Sequence, residues 1–222
     1  MVQRIIVGLL STNCYIYSLD GKECVIIDPG GGAEEIVSRL GDMNLSVKGV
    51  AFTHGHLDHV AGVVALRALL AAKGITLKFT IHGDDRAYLG RKSGTAHRRD
   101  LRSLGIDSAL FGETEFASYP EPDVLLRVGR KVLGTDLSVV ETPGHTPGSV
   151  CFYSEKGALL FSGDTLFCEG VGRTDLPGGD ADRLASSIRK KLMTLPPQTR
   201  VFPGHGPDTT LERERMGNPE WQ

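Results

Sequence analysis

The sequence predicts an α/β protein organised as an αββα sandwich, in which two mixed β-sheets pack together and helices cover their outer faces. The expected unit is a single domain over residues 1–222. Two observations carry this reading. Strand-length apolar runs and amphipathic helical stretches follow one another in the order ββ, α, β, α, β. A second series of ββ, α, β and α completes the chain, so two similar halves are expected. A hydrophobic content of 40% over 222 residues is enough to bury a sizeable core.

Arg4 to Leu10, Cys14 to Leu19 and Cys24 to Asp28 read as strands, the last two joined by the turn-forming pair Asp20-Gly21. Ala33 to Leu40 has helical spacing and meets Gly41, a suitable residue for a helix end. Gly49 to Thr53 reads as a strand, Val60 to Lys73 as an Ala/Leu-rich helix closed by Gly74, and Phe79 to His82 as a strand. From Asp84 to about Asp123 the chain turns polar, and only a helix near Asp84 to Leu89 stands out. Strand signals return at Leu125 to Val128, Leu137 to Glu141, Val150 to Ser154, Ala158 to Ser162 and Thr199 to Phe202. Asp180 is placed to cap a helix whose Leu184, Ile188 and Leu192 share one face, with Arg189, Lys190 and Lys191 near its negative end. Thr209 and Glu212 have capping-box spacing for a final helix.

A net charge of −2 provides no overall positive field, so neither nucleic acid nor an anionic membrane is an expected partner. No stretch has the roughly 20 apolar residues of a membrane span, and the first apolar run is shorter than a secretory signal, which makes the cytoplasm the expected compartment. Cys14, Cys24, Cys151 and Cys168 show no C-x-x-C spacing and read as reduced core thiols.

His54-Gly55-His56-Leu57-Asp58-His59 packs three imidazoles and a carboxylate into six residues directly after the apolar Val50-Ala51-Phe52. In a partly buried place these groups would compete for hydrogen bonds, whereas a divalent cation takes neutral imidazole and carboxylate as ligands. His54 and His56 fall in extended or turning backbone, while Asp58 and His59 fall near the first turn of a helix. The segment can therefore present ligands in two directions, which suits two ions better than one. The pattern of an apolar strand ending in a ligand recurs at His145, Asp164 and His205, each preceded by glycine.

At these residues the sequence resembles the metallo-β-lactamase superfamily. Phe161 to Phe167, Gly170 to Asp175 and Pro203 to Pro207 are similar to the short bacterial members of its glyoxalase II group, which hydrolyse thioesters. The resemblance implies the metallo-β-lactamase fold, with His54, His56 and His145 on a first metal, Asp58, His59 and His205 on a second, and Asp164 bridging them. It also implies two divalent ions, zinc first, with iron or manganese as alternatives, and a metal-bridged hydroxide as nucleophile, with Asp58 orienting it and moving a proton. The expected substrate is a small, anionic thioester, S-lactoylglutathione in the first place. A mononuclear-iron persulfide dioxygenase is the alternative, since that relative retains the same histidines. Antibiotic-degrading lactamases carry Cys or another residue at the position of Asp164, and flavodiiron proteins carry Glu at that of His56. Longer glyoxalase II enzymes add a C-terminal helical region that binds the glutathione tail, whereas 17 residues follow His205 here, so glutathione specificity is not among the expectations that the resemblance carries.

Two charged features remain. Arg173 and Asp175 read as a buried structural ion pair rather than as substrate contacts. The segment from Arg86 to Arg102 is rich in arginine against the single acid Asp100, and reads as a solvated surface, with a lid attracting anionic substrate as the sharper possibility.

Overall fold

Alternation along single strands decides the layering, because successive side chains must enter different cores. In the computed structural model, which describes residues 1–107 and 119–219, Tyr15, Tyr17, Val25 and Ile27 point to one side of a sheet and Ile16 and Ile26 to the other. All six are buried, so both faces of that sheet are covered.

The first sheet has six strands in sequence order: β1 (Val2–Val7), β2 (Thr12–Tyr17), β3 (Glu23–Ile27), β4 (Ser46–Ala51), β5 (Lys78–His82) and β6 (Val124–Leu126). Its first three strands pair antiparallel and the rest parallel. The second sheet uses β7 (Ser138–Glu141), β8 (Val150–Ser154), β9 (Leu159–Gly163), β12 (Arg200–Pro203) and β13 (Thr209–Thr210), in the order β13-β12-β9-β8-β7. Only β9 and β12 run parallel in it. A small hairpin, β10 (Leu166–Phe167) with β11 (Gly170–Val171), stands apart.

Between the sheets, Tyr15, Tyr17 and Ile27 meet Val139, Phe152, Phe161 and Phe202. Phe161 is the hub, its ring 5.1 Å from Tyr15 and 5.5 Å from both Tyr17 and Phe202. Outside the first sheet, α1 (Ala33–Asp42) and α3 (Val63–Ala71) contribute Ile36, Leu40, Val63, Leu66 and Leu70. Outside the second, α5 (Ala181–Ser187) and α6 (Leu211–Gly217) contribute Leu184 and Leu211. The αββα sandwich with two mixed sheets is thus the observed fold.

Several elements differ locally from the sequence reading. The expected strand end Gly8-Leu9-Leu10 is a turn, with Gly8 and Ser11 at positive φ and Leu9 and Leu10 exposed. Helix α1 runs through Gly41, and Asn44 takes the left-handed position while Leu45 N–H reaches back to the Leu40 carbonyl. The helix expected over Val60 to Lys73 is broken into α2 (Leu57–Val60) and α3, because the Gly62 N–H bonds to the Pro29 carbonyl at 3.0 Å. The turn Gly83–Tyr88 is 3-10 rather than α. Helix α4 (Ser93–Ser103) and the β10-β11 hairpin were not foreseen. Asp180 caps α5 as expected, accepting from the Arg183 N–H, but the same face continues as a π-helical turn, Ile188–Leu192. The cap of α6 is Thr210, not Thr209, which pairs in β13 and donates to Glu214. Part of the polar stretch before Asp123 lies outside the described residues.

The four cysteines are free thiols, buried at Cys14, Cys24 and Cys151 and half-buried at Cys168. Among the described residues, no helix is long and apolar enough to cross a membrane. Phe161→Ala should cost about 3–5 kcal/mol, from lost transfer energy plus a cavity between the sheets. Leu9→Lys, at a fully exposed turn, should stay within about 0.5 kcal/mol. Urea unfolding of the two variants checks the contrast, and equal losses would contradict the assignment of Phe161 as the hub.

Candidate metal centre

The strand ends at one edge of the sandwich bring together all seven residues predicted from sequence. His54 and His56 follow β4, Asp58 and His59 lie in α2, and His145, Asp164 and His205 follow β7, β9 and β12. Their donor atoms fall into two triads, His54–His56–His145 and Asp58–His59–His205, each with its atoms within 4.8 Å of one another. Asp164 lies between them: Oδ2 is 3.7 Å from His145 Nε2 and 3.6 Å from His205 Nε2, and Oδ1 is 3.3 Å from His59 Nε2.

The glycines before the later residues act in two ways. Gly144 and Gly163 have φ of 143° and 49°, which a side chain would oppose. Gly204 instead provides space, since a Cβ there would lie 2.1 Å from Asp164 Oδ1 and 2.7 Å from His59 Cε1.

Hydrogen bonds aim the imidazoles. His145 Nδ1 donates to the Arg173 carbonyl at 2.7 Å, His205 Nδ1 to the Leu10 carbonyl at 3.2 Å, and His59 Nδ1 to Asp28 Oδ2 at 2.9 Å. Thr53 Oγ1 donates to Asp28 Oδ2 at 2.6 Å and so accepts from His54 Nδ1 at 3.1 Å. In these four rings Nδ1 is the donor, so that in the neutral form each Nε2 carries a lone pair directed into the cluster. His54 Nε2 and His145 Nε2 then face each other at 3.2 Å. Two lone pairs at that distance repel unless something positive lies between them.

Burial, followed by the neighbouring histidines, holds the His54 imidazole well below its ordinary pKa. The same burial, with His145 next, lowers His56 to about 3. Both rings are therefore neutral at neutral pH, the form a cation binds. Burial alone would raise the pKa of Asp58 and Asp164, yet both are lowered: His59 and then His205 outweigh burial at Asp58, and His59 does most to outweigh it at Asp164. Burial opposes a charge on His59, but Asp58, Asp164 and Asp28 outweigh it and raise that ring well above its ordinary value.

A divalent cation fits this donor set. His56 Nε2, His59 Nε2 and Asp164 Oδ1 are buried without a hydrogen-bond partner, although buried polar atoms are normally satisfied. All three belong to the cluster and are atoms that metals bind. A third geometric grouping, Asp28–His54–His59, is better read as support. Asp28 already accepts from the Thr53 N–H, the Thr53 hydroxyl and His59.

The comparisons agree with the geometry. The sequence profile of the metallo-beta-lactamase superfamily matches residues 7–205. The chain belongs to that superfamily. It is 32% identical to the hydroxyacylglutathione hydrolase GloC of Haemophilus influenzae, covering 98% of this chain and 96% of that protein. A solved structure described as the BLEG-1 B3 metallo-beta-lactamase superposes with a TM-score of 0.82 at 37% identity, covering 99% of this chain and 98% of that one. A second, of TTHA1623 in a di-iron-bound form, gives a TM-score of 0.78 at 34% identity, with 98% of each chain covered. Most members of the superfamily are metal-dependent hydrolases.

Sequence reasoning did not identify Asp28, Thr12 or Asp85 as parts of the site. Asp28 carried a readable signal, because it ends an apolar strand and precedes Pro29-Gly30-Gly31, the same kind of strand end that marks the ligands. Thr12, whose hydroxyl donates to Asp58 Oδ2 at 3.0 Å, gave none. The Arg173–Asp175 pair forms with two contacts of 2.7 Å but is exposed rather than buried. The backbone of Arg173, not its side chain, holds His145. In the arginine-rich segment, Arg99 is tied to Asp100 and to the Tyr88 hydroxyl, and Arg86 to Glu121.

Asp28→Asn should weaken metal binding about 10- to 100-fold, because the amide cannot accept from all three donors. Asn tolerates the φ of 51° found at position 28, so backbone strain is not added. Chelator competition measures this, and wild-type affinity in the variant would refute the role of Asp28.

Proposed function

We propose that the protein is a metal-dependent thioester hydrolase of the hydroxyacylglutathione hydrolase type. The observation that carries this reading is Asp164, whose two oxygens lie within 3.7 Å of imidazole nitrogens from both triads. A carboxylate so placed would serve two cations, one held with His54, His56 and His145 and the other with Asp58, His59 and His205. When bound, such a pair supplies Lewis acidity toward a carbonyl oxygen and a water made acidic enough to attack near neutral pH.

The chain supplies orientation and proton handling. Asp58, held as a carboxylate by His59 and His205 against the effect of burial, accepts from the Thr12 hydroxyl and lies 3.1 Å from His205 Nε2. Both contacts use Oδ2 and leave Oδ1 to orient the attacking water and take up its proton. No serine or cysteine nucleophile is required. The likeness to GloC supports a hydroxyacyl thioester of glutathione, a small anionic molecule, as the substrate.

The likeness to the B3 metallo-beta-lactamase structure supports β-lactam hydrolysis as a second reading, which Asp164 weakens because antibiotic-degrading lactamases carry another residue at that position. Metal analysis of the purified protein, with parallel assays of S-lactoylglutathione hydrolysis, β-lactam hydrolysis and persulfide-dependent oxygen uptake, separates the possibilities. Two metals per chain with thioester hydrolysis are expected. β-Lactam turnover without thioester turnover would support the second reading, and one iron with oxygen uptake would overturn both. Asp164→Ala should lose metal and activity together, and normal activity in that variant would refute the bridging assignment.

A further inference from the structure

Asp85 is a carboxylate with no part in the chemistry above, yet it is fully buried beside the centre. It lies in the 3-10 turn Gly83–Tyr88 that follows β5. Its Oδ2 accepts from the Gly55 N–H at 2.9 Å and from the Thr146 hydroxyl at 2.7 Å, and its Oδ1 accepts from the Gly148 N–H at 2.8 Å. Gly55 lies between His54 and His56, and Thr146 directly follows His145. One side chain thus joins the two loops that supply the first triad, one from each sheet.

The surrounding packing leaves this joint little freedom. A Cβ on Gly148 would come within 2.6 Å of Asp85 Cγ, so the His145 loop lies directly against the carboxylate. Tyr88, from the same turn, occupies the space over Gly55, where a Cβ would be 2.2 Å from its Cδ2. Its ring also stands edge-on to His56 at 5.9 Å. The second triad is held by other groups: Asp28 on His59, Thr12 on Asp58 and the Leu10 carbonyl on His205.

We propose that Asp85 is a positioning residue that fixes His54 and His56 relative to His145 and so sets the cation affinity of that triad selectively. This rests on reading the two triads as metal sites. Hydrogen bonds to a buried carboxylate are charge-assisted and directional, so they hold loop spacing more firmly than apolar contact can. In Asp85→Asn, one oxygen becomes an NH2 group facing N–H and O–H donors, which drives the two loops apart without changing the size of the side chain.

The test is cobalt(II) titration of the full-length, chelator-stripped protein, followed by visible absorption and calorimetry. The wild type should take up two ions. Asp85→Asn and Thr146→Val should each weaken one of the two binding events about tenfold or more and leave the other unchanged, while Thr146→Ser restores wild-type behaviour. If Asp85→Asn fails to fold by circular dichroism, Thr146→Val, which removes a single hydroxyl, decides. Wild-type titration curves in the variants, or equal weakening of both events, would overturn the proposal. Failure of the wild type to bind cobalt would instead remove the metal reading of the triads, and this inference with it.

Discussion

Asp28 is buried at the end of β3 and accepts three hydrogen bonds, two from Thr53 and one from His59. An unpaired carboxylate in that position would be strongly unfavourable, and so would a buried His59 Nδ1–H without an acceptor. Each needs the other. Their pairing fixes the His59 tautomer and, through the Thr53 hydroxyl, that of His54, so one buried charge aims a ring into each triad. The geometry of the centre therefore depends on an acid that is better placed to support the ligands than to be one.

The second dependence is on the joint between the sheets. The His205 loop leaves β12 in the second sheet, while Asp58 follows β4 in the first, and the N-terminal strands pin them together. Asn13, opposite Ile6 in the β1–β2 ladder, also reaches the second sheet. Its N–H bonds to the Gly204 carbonyl at 2.7 Å, and its side chain donates to the carbonyls of Pro203 and Gly206. Tyr15 adds a hydroxyl bond of 2.7 Å to Pro203. The apolar layer below brings the sheets to about the right distance, and these polar contacts fix the register at the rim.

What the sequence revealed follows from locality. Strands such as Cys24 to Ile27 and Leu159 to Phe161 are legible because two buried faces demand continuous apolar residues, and the ligands because they stand at the ends of such runs beside glycine. The broken helix at Gly62 was hidden because its cause is a carbonyl from Pro29, more than thirty positions away. Thr12 and Asp85 were hidden for the same reason: a single polar residue far along the chain carries no periodicity. The α4 region was hard to read for a different reason. Its buried face is formed by Ser93, Gly94, Ala96, His97, Asp100 and Leu101, which gives too little apolar contrast to show as a stripe.

The two triads are not equivalent in their access to water. His54, His59 and His145 are almost completely enclosed, whereas the side chains of His205 and Asp58 retain 28% and 20% exposure. A structural metal site closes around its ion with protein ligands, while a catalytic one keeps a position open for water or substrate. The exposure gradient thus gives the centre a direction, with a sealed floor at His54 and His59 and an open side at Asp58 and His205. Asp164, with 11% exposure, stands between the two. On the proposed reading, a carbonyl substrate would enter from that side and meet Asp58, His205 and Asp164 first, which puts the group proposed to handle the proton, Asp58, at the entrance.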